Sequence, residues 1–95
     1  MSERLIITGA SVPTLPRHIR LKHDESRGAW VILAPERVLM PDEIAVEILQ
    51  RCDGEATVSG IAAALAREFA APEDEIRTDI INVLQDLADK GFLTA

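Results

Sequence analysis

Between residues 17 and 24 apolar and polar positions alternate: Ile19, Leu21 and His23 fall on one side, and His18, Arg20, Lys22 and Asp24 on the other. A period of two is that of a half-buried strand, whose successive side chains point to opposite faces. The polar run Glu25-Ser26-Arg27-Gly28 predicts a turn that ends in the residue most tolerant of positive φ. Residues 29–34, Ala-Trp-Val-Ile-Leu-Ala, are apolar on both faces, as in a middle strand with something packed on each side. Pro35 fits the second position of a turn over residues 34–37, and residues 37–40 then form a third strand, antiparallel to the second. Pro41 has no N–H to give to a ladder, so the strand stops there.

From Asp42 onward the period changes to 3.6. Asp42 suits an N-cap and Glu43 the positive helix end, and the first helix buries Ile44, Ala45, Ile48, Leu49 and Cys52, with Gly54 placed to end it in a left-handed cap. Thr57 caps a second helix with apolar positions Val58, Ile61, Ala62, Leu65 and Phe69. Pro72 then opens a third helix that carries Glu73, Asp74 and Glu75 on its positive end and buries Ile76, Ile80, Val83, Leu84 and Leu87. Lys90-Gly91-Phe92 predicts a Schellman ending, with Phe92 folded back on Leu87. The third helix is broader in its apolar face than one core contact needs, because Ile81, Leu84 and Ala88 extend the stripe, and that surplus calls for a partner. Residues 1–16 follow neither period and read as a flexible tail, leaving residues 17–95 as one α+β domain: a three-stranded antiparallel sheet followed by three helices, like a winged helix-turn-helix. Leu5-Ile6-Ile7 in the tail could still order against a second copy.

Ninety-five residues suit a single core burying roughly 60–65% of the surface of the unfolded chain. Only Trp30, Phe69 and Phe92 are aromatic, so Ile, Leu, Val and Ala must fill it. A net charge of −6 works against nucleic acid and anionic membranes, and no apolar run reaches the ~20 residues of a membrane span. The first residues lack a signal-peptide pattern, and the lone Cys52 suits a reducing compartment, so a cytoplasmic protein is expected.

Candidate chemistry is sparse. His18 and His23 lie on opposite faces of one strand and have no second ligand at metal spacing. Cys52 belongs to an inner helical stripe, and the five glycines form no phosphate-cradling loop. No nucleophile stands beside a base, so neither enzymatic activity nor a cofactor is expected. In a DNA-reading winged helix the third helix would be basic; here it has six acidic residues against Arg77 and Lys90. An acidic regulator that binds DNA or a protein is the alternative from another functional class.

The sheet edges point to binding instead. Arg20 and Lys22 guard the first strand, whereas Val38-Leu39-Met40 has no guard except Pro41. An extended peptide added at that edge, against a floor of Arg77, Ile81, Leu84, Gln85 and Ala88, is the binding mode these residues suggest, and the same open edge would also permit a homodimer.

These residues bring out a resemblance to a known family. Pro16-Arg17 with Arg20-Leu21, Asp24 and Arg27, residues 31–33 with Pro35-Glu36, Ile48-Leu49 with Asp53-Gly54, Thr57, Asp79-Ile80 with Leu84 and Leu87, and Gly91 resemble in order and spacing the pyrroloquinoline quinone (PQQ) biosynthesis protein D (PqqD) family, over residues 16–93. The resemblance implies a non-catalytic peptide chaperone, a prototype of the recognition elements for ribosomally made, modified peptides. It would bind a PqqA-like precursor as an added strand and present it to a PqqE-like radical S-adenosylmethionine (SAM) maturase. The groove would pair Arg37, Val38, Leu39 and Met40 with Arg77, Ile81, Leu84, Gln85 and Ala88. A recognition element of another modified-peptide pathway is the nearest alternative. Pro41 departs from the family pattern, which has Leu there, and the lost donor shortens the pairing edge or shifts its register.

Overall fold

A computed structural model describes residues 4–95, so the tail expected over residues 1–3 lies outside the described residues. The chain forms β1 (Arg20–Asp24), β2 (Ala29–Leu33), β3 (Val38–Leu39), α1 (Glu43–Leu49), α2 (Val58–Phe69) and α3 (Glu73–Asp89). One antiparallel sheet has the order β1-β2-β3, with Leu21 opposite Ile32, His23 opposite Trp30, and Ile32 opposite Leu39. The fold class is the expected one.

Both strand ends expected from the alternation are trimmed by turns. Ile19 N–H donates to the Pro16 carbonyl at 3.0 Å, so a tight turn occupies residues 16–19 and β1 begins only at Arg20. Ala34 N–H donates to the Arg37 carbonyl at 2.9 Å, which closes the second turn and leaves β3 two residues long before Pro41. Gly28, with φ +63°, completes the turn between β1 and β2, where the Asp24 carboxylate accepts from the Ser26 and Arg27 amides.

The helix caps follow the sequence closely at three ends. Asp42 accepts from Ala45 N–H at 2.8 Å, and Thr57 Oγ1 from Gly60 N–H at 3.0 Å. At the end of α3, Gly91 N–H reaches the Ala88 carbonyl and Phe92 N–H the Leu87 carbonyl, the two bonds of a Schellman motif, with Gly91 at φ +83°. Gly54 differs. It has the expected left-handed φ of +81°, but α1 ends at Leu49, and Gly54 instead turns the chain beneath the N-terminal segment, donating to the Pro13 carbonyl.

Two residues expected inside lie in solvent. Ile44 is 64% exposed while Val46 is buried. At 100° per residue both flank Ala45 equally, so periodicity cannot choose between them. Phe69 is 55% exposed because the last turn of α2 faces an open cleft, after which Ala70, at φ 51°, turns the chain away. The core proper joins Ile32, Ile48, Ile61, Ile80, Leu84 and Phe92, drawn from every layer. Arg51 fastens α1 to α2 through Glu47 (2.9 Å) and Glu68 (2.6 Å).

Residues 4–16, expected as a flexible tail, instead lie packed along α3, α2 and the C-terminus. Ile7 is 3% exposed and belongs to the core, and Pro13 is buried. The Gly9 and Ser11 carbonyls accept from Ser59 and Val58 N–H, satisfying amides that begin α2 and have no partner within the helix. The chain passes close there: a Cβ on Gly9 would lie 2.6 Å from Ser59 Oγ, so a larger residue would require that hydroxyl to rotate away. Thr14 exchanges both backbone hydrogen bonds with Thr94. Among the described residues no helix is long and apolar enough to cross a membrane.

Candidate peptide-binding groove

Nothing among the described residues gathers three metal-ligating side chains. His23 lies edge-on to Trp30, with ring centroids 5.3 Å apart. Cys52 is buried and donates to the Ile48 carbonyl. Asp53 is a turn-former: backbone amides of Ala56 and Glu55 hold its carboxyl below the usual range.

The outer edge of β3 is unpaired among the described residues. Val38 and Met40 are 53% and 54% exposed, while Leu39 turns inward toward Ile32 and the core. Beside this edge lies a hollow of about 270 Å³, lined on the sheet and α1 side by Leu39, Met40, Pro41 and Ala45, and on α3 by Val83, Leu87 and Lys90. Lys90 is paired with Asp86 at 2.9 Å on its rim. Arg37 lies near it: its guanidinium is 4.6 Å from the Phe92 ring centroid and donates to the carbonyl of Lys90, a lining residue, at 3.0 Å. That contact ties the start of β3 to the end of α3 and caps an otherwise free helix carbonyl.

Of the strand half of the expected groove, Leu39 and Met40 line this hollow, Val38 stands exposed on the same strand, and Arg37 braces the strand's start against the end of α3. The expected helix half does not line it. Leu84 is fully buried in the core, and Arg77 pairs with Asp74 and Glu73 at the start of α3. Gln85 is engaged by the N-terminal segment, accepting from Ile7 N–H and donating to the Leu5 carbonyl, each at 2.8 Å. Arg4 pairs with Asp89 at 2.7 Å one turn further on, which raises the arginine and lowers the carboxyl in pKa. Ile81 and Ala88 pack against the core from this covered side, where Leu5 also packs. The reason is angular: Ile81, Gln85 and Ala88 stand roughly 150° around the helix from Val83, Leu87 and Lys90. The surplus apolar face has a partner, and it is the chain's own N-terminus.

Val83 and Leu87, expected in the core, do pack there, Leu87 buried and Val83 partly so, and both also line the hollow beside the edge strand. A signal for this existed: Ile76, Ile80, Val83 and Leu87 form one stripe, and α1 is too short to cover all of it.

Comparison with known proteins places the chain in a family. The family described as coenzyme PQQ synthesis protein D (PqqD) matches residues 29–93. The chain is 62% identical over 88 residues to the PqqA binding protein of Bradyrhizobium diazoefficiens, covering 93% of this chain and 85% of that one. It is similar, with a TM-score of 0.82 and 43% identity, to the solution structure of the PqqD part of Methylobacterium extorquens PqqCD, described as a functional, stand-alone recognition element for ribosomally synthesized and post-translationally modified peptides; 94% of this chain and 95% of that one align. Lasso peptide synthetase B1, solved with its leader peptide, shares the fold at a TM-score of 0.75 and 18% identity over 90% of this chain and 100% of that one.

Proposed function

The chain belongs to the PqqD family, and on that premise we infer that it is a non-catalytic peptide chaperone of PQQ biosynthesis that binds a PqqA-like precursor and presents it to a radical SAM maturase. The precursor adds a strand to β3 and lays apolar side chains into the hollow between Leu39, Val83 and Leu87. A role of this kind belongs in the cytoplasm, where the free thiol of Cys52 stays reduced.

One observation carries the reading: a strand edge that is unpaired among the described residues lies directly beside an open apolar groove walled by a helix. Magnitudes require both parts. Backbone hydrogen bonds contribute ~0.5–1.5 kcal/mol net each, and an edge this short provides few of them against the ~4–15 kcal/mol lost in association. Burying Leu or Phe side chains at roughly 1.5–3 kcal/mol each closes that gap. Pro41 offers no donor, so pairing is confined to residues 37–40.

Amide-shift titration with a PqqA-like precursor tests this. Perturbations are expected on Val38, Leu39, Val83 and Leu87, and Leu39→Lys or Val83→Asp should weaken binding at least about tenfold. Ile81→Asp, on the opposite side of α3, serves as the control. Perturbations gathered on Ile81, Gln85 and Ala88, with β3 unmoved, would sink the groove assignment.

A further inference from the structure

Four of the five large apolar side chains that stand in water among the described residues gather at two neighbouring places. Met40 lines the peptide groove and Val38 stands on the same edge strand, whereas Ile44 and Phe69 line a second, larger cleft of about 680 Å³. Its floor is core, Ile48, Leu65 and Ile80, and Trp30 of β2 forms part of its wall. More than half of each of Ile44 and Phe69 lies in water, outside the core. A paired apolar rim around an apolar recess is the anatomy of a protein-docking hot spot.

The charges around the cleft have one sign. Glu43, Glu47 and Asp79 line it, without a lysine or arginine. Glu47 is matched by Arg51 at 2.9 Å, but Glu43 and Asp79 take part in none of the ion pairs among the described residues. Two carboxylates outside any of these ion pairs, beside an apolar recess, repel phosphate and favour a cation flanking an apolar anchor. A second copy of this chain, with its net charge of −6, complements such a rim poorly.

Position narrows the occupant further. Pro41 lines both hollows, and α3 offers Val83 and Leu87 to the groove while Ile76, Asp79 and Ile80, on preceding turns, face the cleft. A protein seated in the cleft would touch the bound precursor's neighbourhood without competing for the β3 edge. That is the placement required of the molecule that receives the peptide.

We propose, on the chaperone reading above, that this cleft is the docking site of the radical SAM maturase, taking from it a Leu, Met or Phe side chain flanked by Arg or Lys. Ile44 and Phe69 grip the apolar anchor, and Glu43 and Asp79 hold the cation.

The test measures two affinities on each folded variant, for the PqqA-like precursor and for the radical SAM maturase of the pathway. Phe69→Glu and Ile44→Ser, both at exposed positions, should weaken maturase binding at least about tenfold and leave precursor affinity within about twofold. Asp79→Lys should also weaken it and reduce its dependence on salt. Unchanged maturase affinity in these variants overturns the proposal. So does a loss of precursor affinity, which would assign the cleft to the peptide, or a change in sedimentation of the isolated protein, which would assign it to a second copy. Wild-type protein that binds the maturase but not the precursor would defeat the chaperone reading and leave the docking site standing.

Discussion

Cys52 has its chemistry set by where it sits. Desolvation first, and the neighbouring charge of Asp53 second, push its thiol up to about 12 from an ordinary value of 9.0. The thiolate is the reactive form, so the folded protein holds almost none of it at neutral pH. At pH 8 a soluble disulfide reagent should therefore label Cys52 at least about a hundredfold faster in guanidinium than in buffer. Equal rates would mean that the α1 end opens freely. The same shift has a sign in stability. The unfolded thiol loses its proton near 9, the folded one only near 12. Above pH 9 the unfolded state binds fewer protons, so stability falls progressively as the pH rises toward 12. Below 9 the contribution is fully present and flat, so urea midpoints at pH 7 and 8 should not differ on account of Cys52.

At the scale of elements, the N-terminal segment matters most for how the site is divided. Ile7 reaches the core, Gln85 holds the backbone on either side of Ile6, and the carbonyls of Gly9 and Ser11 cap α2. The surface of α3 is thereby split: one side carries this arm, and the other is left for ligands. Ile7→Ala should cost roughly 2–4 kcal/mol in urea denaturation, as for other buried Ile truncations. Precursor affinity should stay within about twofold, because Ile7 and the groove lie on opposite sides of α3. A free tail predicts no loss of stability. The arm was illegible in the sequence for a physical reason: it meets α3, α2 and the C-terminus one or two residues at a time, so no single neighbour imposes a period on it. The sheet and helices were legible because each lies against one continuous surface, which writes a period of 2.0 or 3.6 into the chain. Caps at Asp42, Thr57 and Gly91 were legible too, since a side-chain acceptor or a left-handed glycine is a local requirement. Which of two flanking residues turns inward, as with Ile44 and Val46, depends on what lies opposite and cannot be read locally.

At the scale of the whole molecule, a three-stranded sheet with three helices has the outline of a DNA-reading winged helix, and charge decides otherwise. The helix that would enter a groove, α3, carries Glu73, Asp74, Glu75, Asp79, Asp86 and Asp89. Its two bases are already used, Arg77 by Asp74 and Glu73, and Lys90 by Asp86. Binding to duplex DNA draws on counterion release by lysines and arginines that neutralise phosphates, with an affinity that falls steeply as salt rises. Here the net charge is −6, and the basic guard on β1, Arg20 and Lys22, is too small to form a stripe. Fluorescence anisotropy of a labelled duplex should accordingly stay flat up to protein concentrations of about 10 µM, a range that captures non-specific DNA binders. Repeating the titration at low ionic strength sharpens the test, because lowering the salt strengthens any phosphate-driven contact. Binding that appears at low salt and falls as salt is raised would show that Arg20, Lys22 and their neighbours act as a wing, and would return the protein to the regulator class.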